Sequence, residues 1–148
     1  MLIDTLKKLY IRDLDRLKQE IRLYENEDKL WYVEEGISNT AGNLCLHLIG
    51  NLNTYIGAAL GKSGYVRNRP AEFSLKDIPR EKLLEKIGET KLVVIQTLDG
   101  LTEADLAAEY PVLVFEEKTS TEYLLVHLTT HLTYHLGQIN YHRRLLDK

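Results

Sequence analysis

The sequence predicts an all-α protein, a four-helix bundle with a long connection between its second and third helices, and three observations carry that expectation. Apolar residues recur three and four apart through four long segments, the spacing of one helix face. Only three prolines occur in 148 residues, and Pro70, Pro79 and Pro111 all lie between those segments or at their edges. Capping residues precede two of the periodic runs, at Ser38 and Asn39 and again at Thr119.

The first segment runs from about Asp4 to Tyr24. Leu6, Leu9, Tyr10, Leu14, Leu17, Ile21 and Tyr24 form its apolar stripe, and Arg12, Asp13, Arg16, Lys18, Glu20 and Arg22 fill most other positions. Ser38 and Asn39 are N-cap candidates for a second helix that carries Leu44, Leu48, Leu52 and Ile56 four apart and stops near Gly61. Lys62 to Pro79, 18 residues without a sustained period, reads as a loop of the length that forms lids and binding loops. A third helix begins at Pro79 or Arg80, buries Leu83, Leu84, Ile87, Val94, Ile95 and Leu98, and ends at Asp99 and Gly100. Thr102 to Asp105 can open a short extra turn before Pro111, and Val112 to Phe115 is too short to separate a strand from extended loop. Thr119 and Glu122 have capping-box spacing just before the apolar run from Tyr123 to Val126. The fourth helix runs from there to about Leu146, roughly 27 residues or about 40 Å.

Composition narrows the function. A mass of 17.1 kDa implies roughly 7,700 Å² of folded surface against about 25,000 Å² unfolded, enough burial for one domain spanning residues 1–148. Nineteen Lys+Arg against 22 Asp+Glu give a net charge of −3, so there is no broad basic field. Only Arg143 with Arg144 and the loop bearing Arg67 and Arg69 offer local patches, and no nucleic-acid partner is expected. No apolar run reaches the ~18 residues a spanning helix needs, so no membrane is expected. Met1 to Gln19 is charged and amphipathic without a signal-peptide core, which makes the cytoplasm the expected location. Cys45 is the single cysteine, which excludes an internal disulfide or a CxxC site within one chain.

Five histidines remain, four of them in the last helix: His127, His131, His135 and His142. Residues four apart on a helix share a face, so His131 with His135, or His127 with His131, can clasp one ion. His127 and His135 are two turns apart, so a third ligand has to come from elsewhere. His47 is the other histidine, and Asn43, His47 and Asn51 form a polar line through the Leu-rich second helix that faces either solvent or a polar site. Two facing helices bearing imidazoles in mid-span make a three-histidine site, the ligand set of a catalytic zinc centre. Cys45 lies about 200° round the helix from His47 and is a poor fourth ligand. Leu132 follows His131, so the general base of the HExxH proteases is missing. No carboxylate lies between Glu122 and Asp147, so a di-iron carboxylate centre is not expected. His142, beside Arg143 and Arg144, is expected as a cation at the helix end, and the nine tyrosines as core or interface material.

The run His131, Leu132, Thr133, Tyr134, His135, Leu136, Gly137, Gln138, Ile139, Asn140 and Tyr141 resembles the last-helix signature of the DinB-like (YfiT-like) metal-binding four-helix bundles. In that family a histidine, three residues and a second histidine are followed by any residue, Gly and Gln. The segment Asn43 to Asn51, with His47 at its centre, and the loop from Arg67 to Glu72 and Phe73 resemble the same family's second helix and connection. The resemblance implies that His47, His131 and His135 hold a divalent ion, zinc or nickel, with water completing the shell, and that the protein is a homodimer. Gly137 then permits close helix approach, and Asn43, Asn51, His127 and Gln138 are candidates to hydrogen-bond behind the ligands.

Family activities are largely thiol transfers in which the metal holds a low-molecular-weight thiol, such as bacillithiol or mycothiol, as thiolate. The resemblance therefore implies a metal-dependent S-transferase taking a small-molecule thiol and an electrophile. Arg67 and Arg69 are candidates to bind an anionic thiol, with solvated surface arginines as the alternative. A non-catalytic, metal-stabilised stress-response or binding module is the second reading, and an open coordination position distinguishes the two.

Overall fold

A helix with no charged side chain, apolar on every side but one line of Asn and His, belongs inside a protein, and the chain contains one. In the computed structural model, which describes residues 1–148, every residue of α2 (Ala41–Leu52) is buried. Beside it stand α4 (Arg80–Asp99) and α6 (Thr121–Leu146), which α1 (Leu2–Leu23) joins, with the short helices α3 (Arg69–Ser74) and α5 (Glu103–Ala107) in the connections. A 3₁₀ turn covers Glu27–Trp31, and a π-helical stretch, Asn53–Ala58, continues α2. The chain is all-helical, and its β-type pairing is a single isolated bridge between Glu109 and Ser120. Val112 to Phe115 is thus extended loop. No helix is long and apolar enough to cross a membrane.

α1 packs on α4 and α6, and α2 packs on α4, α6 and α3. Twenty-eight apolar residues form one contiguous buried cluster, and the accessible surface of 8260 Å² is close to the ~7,700 Å² that mass scaling gives for one folded chain. The buried stripe of α1 is Leu6, Tyr10, Leu14, Leu17 and Ile21, as its periodicity predicts except that Leu9 is only half-buried, and it is joined by Asp13. Asp13 is tolerated inside because the Arg12 guanidinium lies 2.8 Å away and the Thr133 hydroxyl donates to it at 2.7 Å. The Tyr10 hydroxyl donates to the Leu125 carbonyl at 2.6 Å, tying α1 to α6. The Arg80 side chain donates to the Arg22 and Tyr24 carbonyls at 3.1 and 2.7 Å, satisfying the open end of α1.

Several boundaries depart from the sequence expectation. Thr40, not Ser38 or Asn39, caps α2, its hydroxyl accepting from the Asn43 N–H at 3.0 Å. Ser120, not Thr119, caps α6, accepting from the Tyr123 N–H at 3.1 Å. The connection from Lys62 to Pro79 contains α3, which has too few residues to show a period; Asn68 accepting from Ala71 N–H and Pro70 in the first turn are its start signals. Pro79, Asp99 and Gly100 bound α4 as expected, although Ile95 is only half-buried and Thr90 takes a core position. Thr102 and Asp105 cap each other's backbone at the start of α5.

His142 is not the helix-end cation that its neighbours predict. It is 7% exposed, its Nδ1 accepts from the Tyr24 hydroxyl at 2.7 Å, and its Nε2–H donates to the Tyr32 carbonyl at 2.8 Å. Both ring nitrogens are satisfied in the neutral form, and burial pushes its pKa below the ordinary 6.5. A helix-end dipole offers a cation about 0.3–1 kcal/mol at the surface, too little to offset burying the charge. The unfolded chain protonates His142 near 6.5 while the folded chain resists, so its contribution to stability is complete above that value and is lost as pH falls through the depressed folded pKa. Urea unfolding from about pH 7.5 down to about pH 5 is expected to show falling stability, with part of the slope removed in His142→Gln; an unaltered slope in that variant would contradict the assignment.

Candidate metal centre

His47 lies at the middle of α2, and His131 and His135 lie one turn apart on the facing side of α6. Their rings stand at 77°, 87° and 89° to one another, edges converging. The Nε2 of His131 is 3.2 Å from that of His47 and 3.1 Å from that of His135, and one ring nitrogen from each histidine fits within 4.8 Å. A tetrahedral ion with metal–nitrogen bonds of about 2.0–2.1 Å sets neighbouring nitrogens roughly 3.3 Å apart. The two separations from His131 therefore match the spacing that a small divalent ion needs, and this three-histidine group can hold a metal. The polar line of α2 faces inward rather than to solvent, because α2 has no solvent face.

Electrostatics agree with this geometry. Burial, with His135 and His47 alongside, pushes His131 down to about 4, and burial likewise lowers His47. Both are neutral at physiological pH and offer lone pairs, as metal ligation requires. His131 and His135 are half-buried, so the centre opens toward the surface.

The supporting residues fall out unevenly. Gln138 is in place, its Oε1 accepting from His135 Nδ1–H at 2.7 Å and leaving Nε2 free. Asn43 does not touch an imidazole; its amide donates to the Glu72 and Leu75 carbonyls at 2.9 and 2.8 Å and moors the end of α3 to α2. Asn51 is buried with its Oδ1 unpartnered, as is Nδ1 of His131. His127 packs edge-on to Phe115, ring centres 4.8 Å apart, without a hydrogen bond to the triad. Gly137 is not a close-approach residue, since a Cβ there would meet nothing within 4 Å. Arg69 is exposed, its guanidinium 5.4 Å from the Phe73 ring centre, and Phe73 in turn lies 5.0 Å from His47.

One residue to which the sequence assigns no role beyond a place in the resembling loop stands at the centre. Glu72, 6% exposed, places Oε1 3.0 Å from His47 Nδ1. Arg67 is engaged there, its Nε and Nη2 donating to the two Glu72 oxygens at 2.8 and 3.0 Å. Gly50 makes the room: a Cβ at that position would lie 1.9 Å from Glu72 Oε2. Cys45 is fully buried, and burial pushes its thiol up to about 12, which makes it inert as a nucleophile or ligand. A cavity of about 670 Å³ lies between the segment from Glu34 to Asn39 and the end of α6; none of the three histidines lines it, and Gln138, which forms part of its wall, is its link to His135.

Residues 3–148 match the model of a protein family described as protein of unknown function, DUF1572. A comparison with curated proteins finds no match. Gln138 is exposed, so its removal leaves the packing intact. In Gln138→Ala the zinc affinity, measured by competition with a chromophoric chelator, is expected to fall about tenfold through loss of the His135 acceptor, with an unchanged melting temperature; wild-type affinity would count against the role.

Proposed function

The chain belongs to the DUF1572 family of proteins of unknown function, and from its histidine centre we propose that it is a DinB-like, divalent-metal-dependent thiol S-transferase. The observation that carries this reading is the convergence of three imidazole nitrogens with no carboxylate among them, the donor set of catalytic sites that keep a position open. Imidazole donors suit zinc or nickel. Support for a four-helix bundle comes from the packing of α1 and α2 against both α4 and α6.

His47, His131 and His135 hold the ion, and Gln138 orients His135. A divalent cation bound there supplies positive charge that lowers the pKa of a coordinated thiol. Phe73 shields one flank of His47. Because Cys45 is sealed in the core, the reacting sulfur arrives on a low-molecular-weight thiol. Arg69 is the loop cation placed to meet an anionic thiol, since Arg67 is already paired with Glu72. Ile37, Leu44, Leu145 and Leu146 give the cavity beyond Gln138 an apolar wall for an electrophile. The protein works in the cytoplasm as a homodimer, and exposed Tyr134 and Tyr141 on α6 support such a contact.

Elemental analysis of the purified protein is expected to find stoichiometric zinc or nickel, lost in His131→Ala. Stoichiometric metal in that variant removes the triad. Transfer to a model electrophile, assayed with bacillithiol, mycothiol, glutathione and coenzyme A, is expected to exceed the no-enzyme rate with at least one thiol. Metal binding without transfer from any of the four leaves a non-catalytic metal-stabilised module.

A further inference from the structure

A carboxylate buried to 6% exposure beside a metal-binding histidine needs a reason to be there, and no ligand role accounts for Glu72. Resting on the reading of the triad as a metal centre, we propose that Glu72 is the positioning residue of His47. It holds the ring proton on Nδ1, so that the Nε2 lone pair faces His131 and His135. The connection from Lys62 to Pro79 is then a component of the centre rather than a lid over it.

His47 Nδ1 has two neighbours that demand opposite tautomers. If Nδ1 carries the proton, it donates to Glu72 Oε1 at 3.0 Å; if it is bare, it accepts from Arg67 Nη2 at 3.4 Å. The first contact is shorter and charge-assisted, whereas the second lies at the limit of a hydrogen bond. Arg67 also has a better use, since it already donates twice to Glu72 at 2.8 and 3.0 Å. The pairing neutralises the carboxylate and fixes its plane, and Oε1 accepts from Arg67 and His47 together. Three further features hold Glu72 in register: Asn43 binds its backbone carbonyl, Asn68 caps the helix that carries it, and Gly50 omits the methyl group that would occupy its place. Metal-bound histidines commonly donate their second N–H to a carboxylate, which sets tautomer and ring orientation. The Glu72 carboxylate from the connection is placed to accept in this way from His47, and the Gln138 amide oxygen on α6 plays the same part for His135.

The test uses the full chain with ¹⁵N-labelled histidine, stripped of metal by a chelator and held at about pH 8, above the ordinary imidazole range. Long-range ¹⁵N–¹H correlation spectra report which nitrogen of His47 bears the proton. Wild type is expected to carry it on Nδ1, Glu72→Ala to lose that preference, and Glu72→Gln, whose amide oxygen still accepts, to keep it. Titration with zinc against a chromophoric chelator is expected to show affinity reduced about 10–100-fold in Glu72→Ala and restored toward wild type in Glu72→Gln. Gly50→Ala displaces the carboxylate without removing it and is expected to behave as Glu72→Ala does, which separates positioning from loss of a buried charge. A wild-type proton on Nε2, or a wild-type tautomer in Glu72→Ala, overturns the proposal. Because the tautomer is read without metal, a chain that binds no zinc refutes the proposed function and still leaves the role of Glu72 decided.

Discussion

Burial of His47 inside a helix with no solvent face is the constraint to which the neighbouring structure answers. Water has little access to the polar line of α2, so its members depend on protein partners. Asn43 is met by the Thr40 hydroxyl and by two carbonyls of the connection, and His47 by Glu72. Once Glu72 is drawn inside, its charge calls for Arg67, and its volume calls for glycine at position 50. A single imidazole thus explains why an 18-residue connection lies pinned against α2 rather than loose over the surface.

Five buried side-chain atoms lack a hydrogen-bond partner: Trp31 Nε1, Thr54 Oγ1, Arg80 Nε and two beside the histidine centre. Asn51 Oδ1 on α2 and His131 Nδ1 on α6 are both buried and unpaired. A buried unpaired polar atom costs on the order of 1–3 kcal/mol, and cores that otherwise obey the rules tend to break them at functional sites. The two atoms lie on packed helices, within one turn of the three converging nitrogens on α2 and on one of the converging rings on α6. Local satisfaction has been forgone where three imidazoles are held edge to edge.

Legibility in the sequence tracks the range of the interactions. His131 and His135 stand out because helical spacing alone puts them on one face, and Gln138, three residues on, belongs to the same turn. The helices themselves are legible for the same reason, apart from α3, which is shorter than the period that would reveal it. Glu72 has its partner 25 positions away, across a connection with no periodicity to index. His142 is misread because Tyr24 and Tyr32, 118 and 110 positions earlier, turn an apparently exposed helix end into an enclosed one. Cap positions differ by one or two residues at α2 and by one at α6, where neighbouring Ser, Asn and Thr offer similar caps and only backbone geometry selects among them.

Between Asn53 and Ala58 the backbone closes its hydrogen bonds five residues apart, as in Ala59 N–H to Thr54 O and Gly61 N–H to Ile56 O. A turn of this kind accommodates one residue more than an α-helical turn and rotates the downstream residues by about 100°. His47 and Tyr55 consequently share one rod while keeping separate angular references. The upstream half packs on both α6 and α4, and the downstream half on α4, with the Tyr110 hydroxyl reaching the Tyr55 carbonyl at 2.5 Å. The rod behaves as a shaft with a built-in phase offset, so a gain or loss of one residue absorbed in that stretch changes how the lower half is turned and leaves the bearing of the histidine above it unchanged.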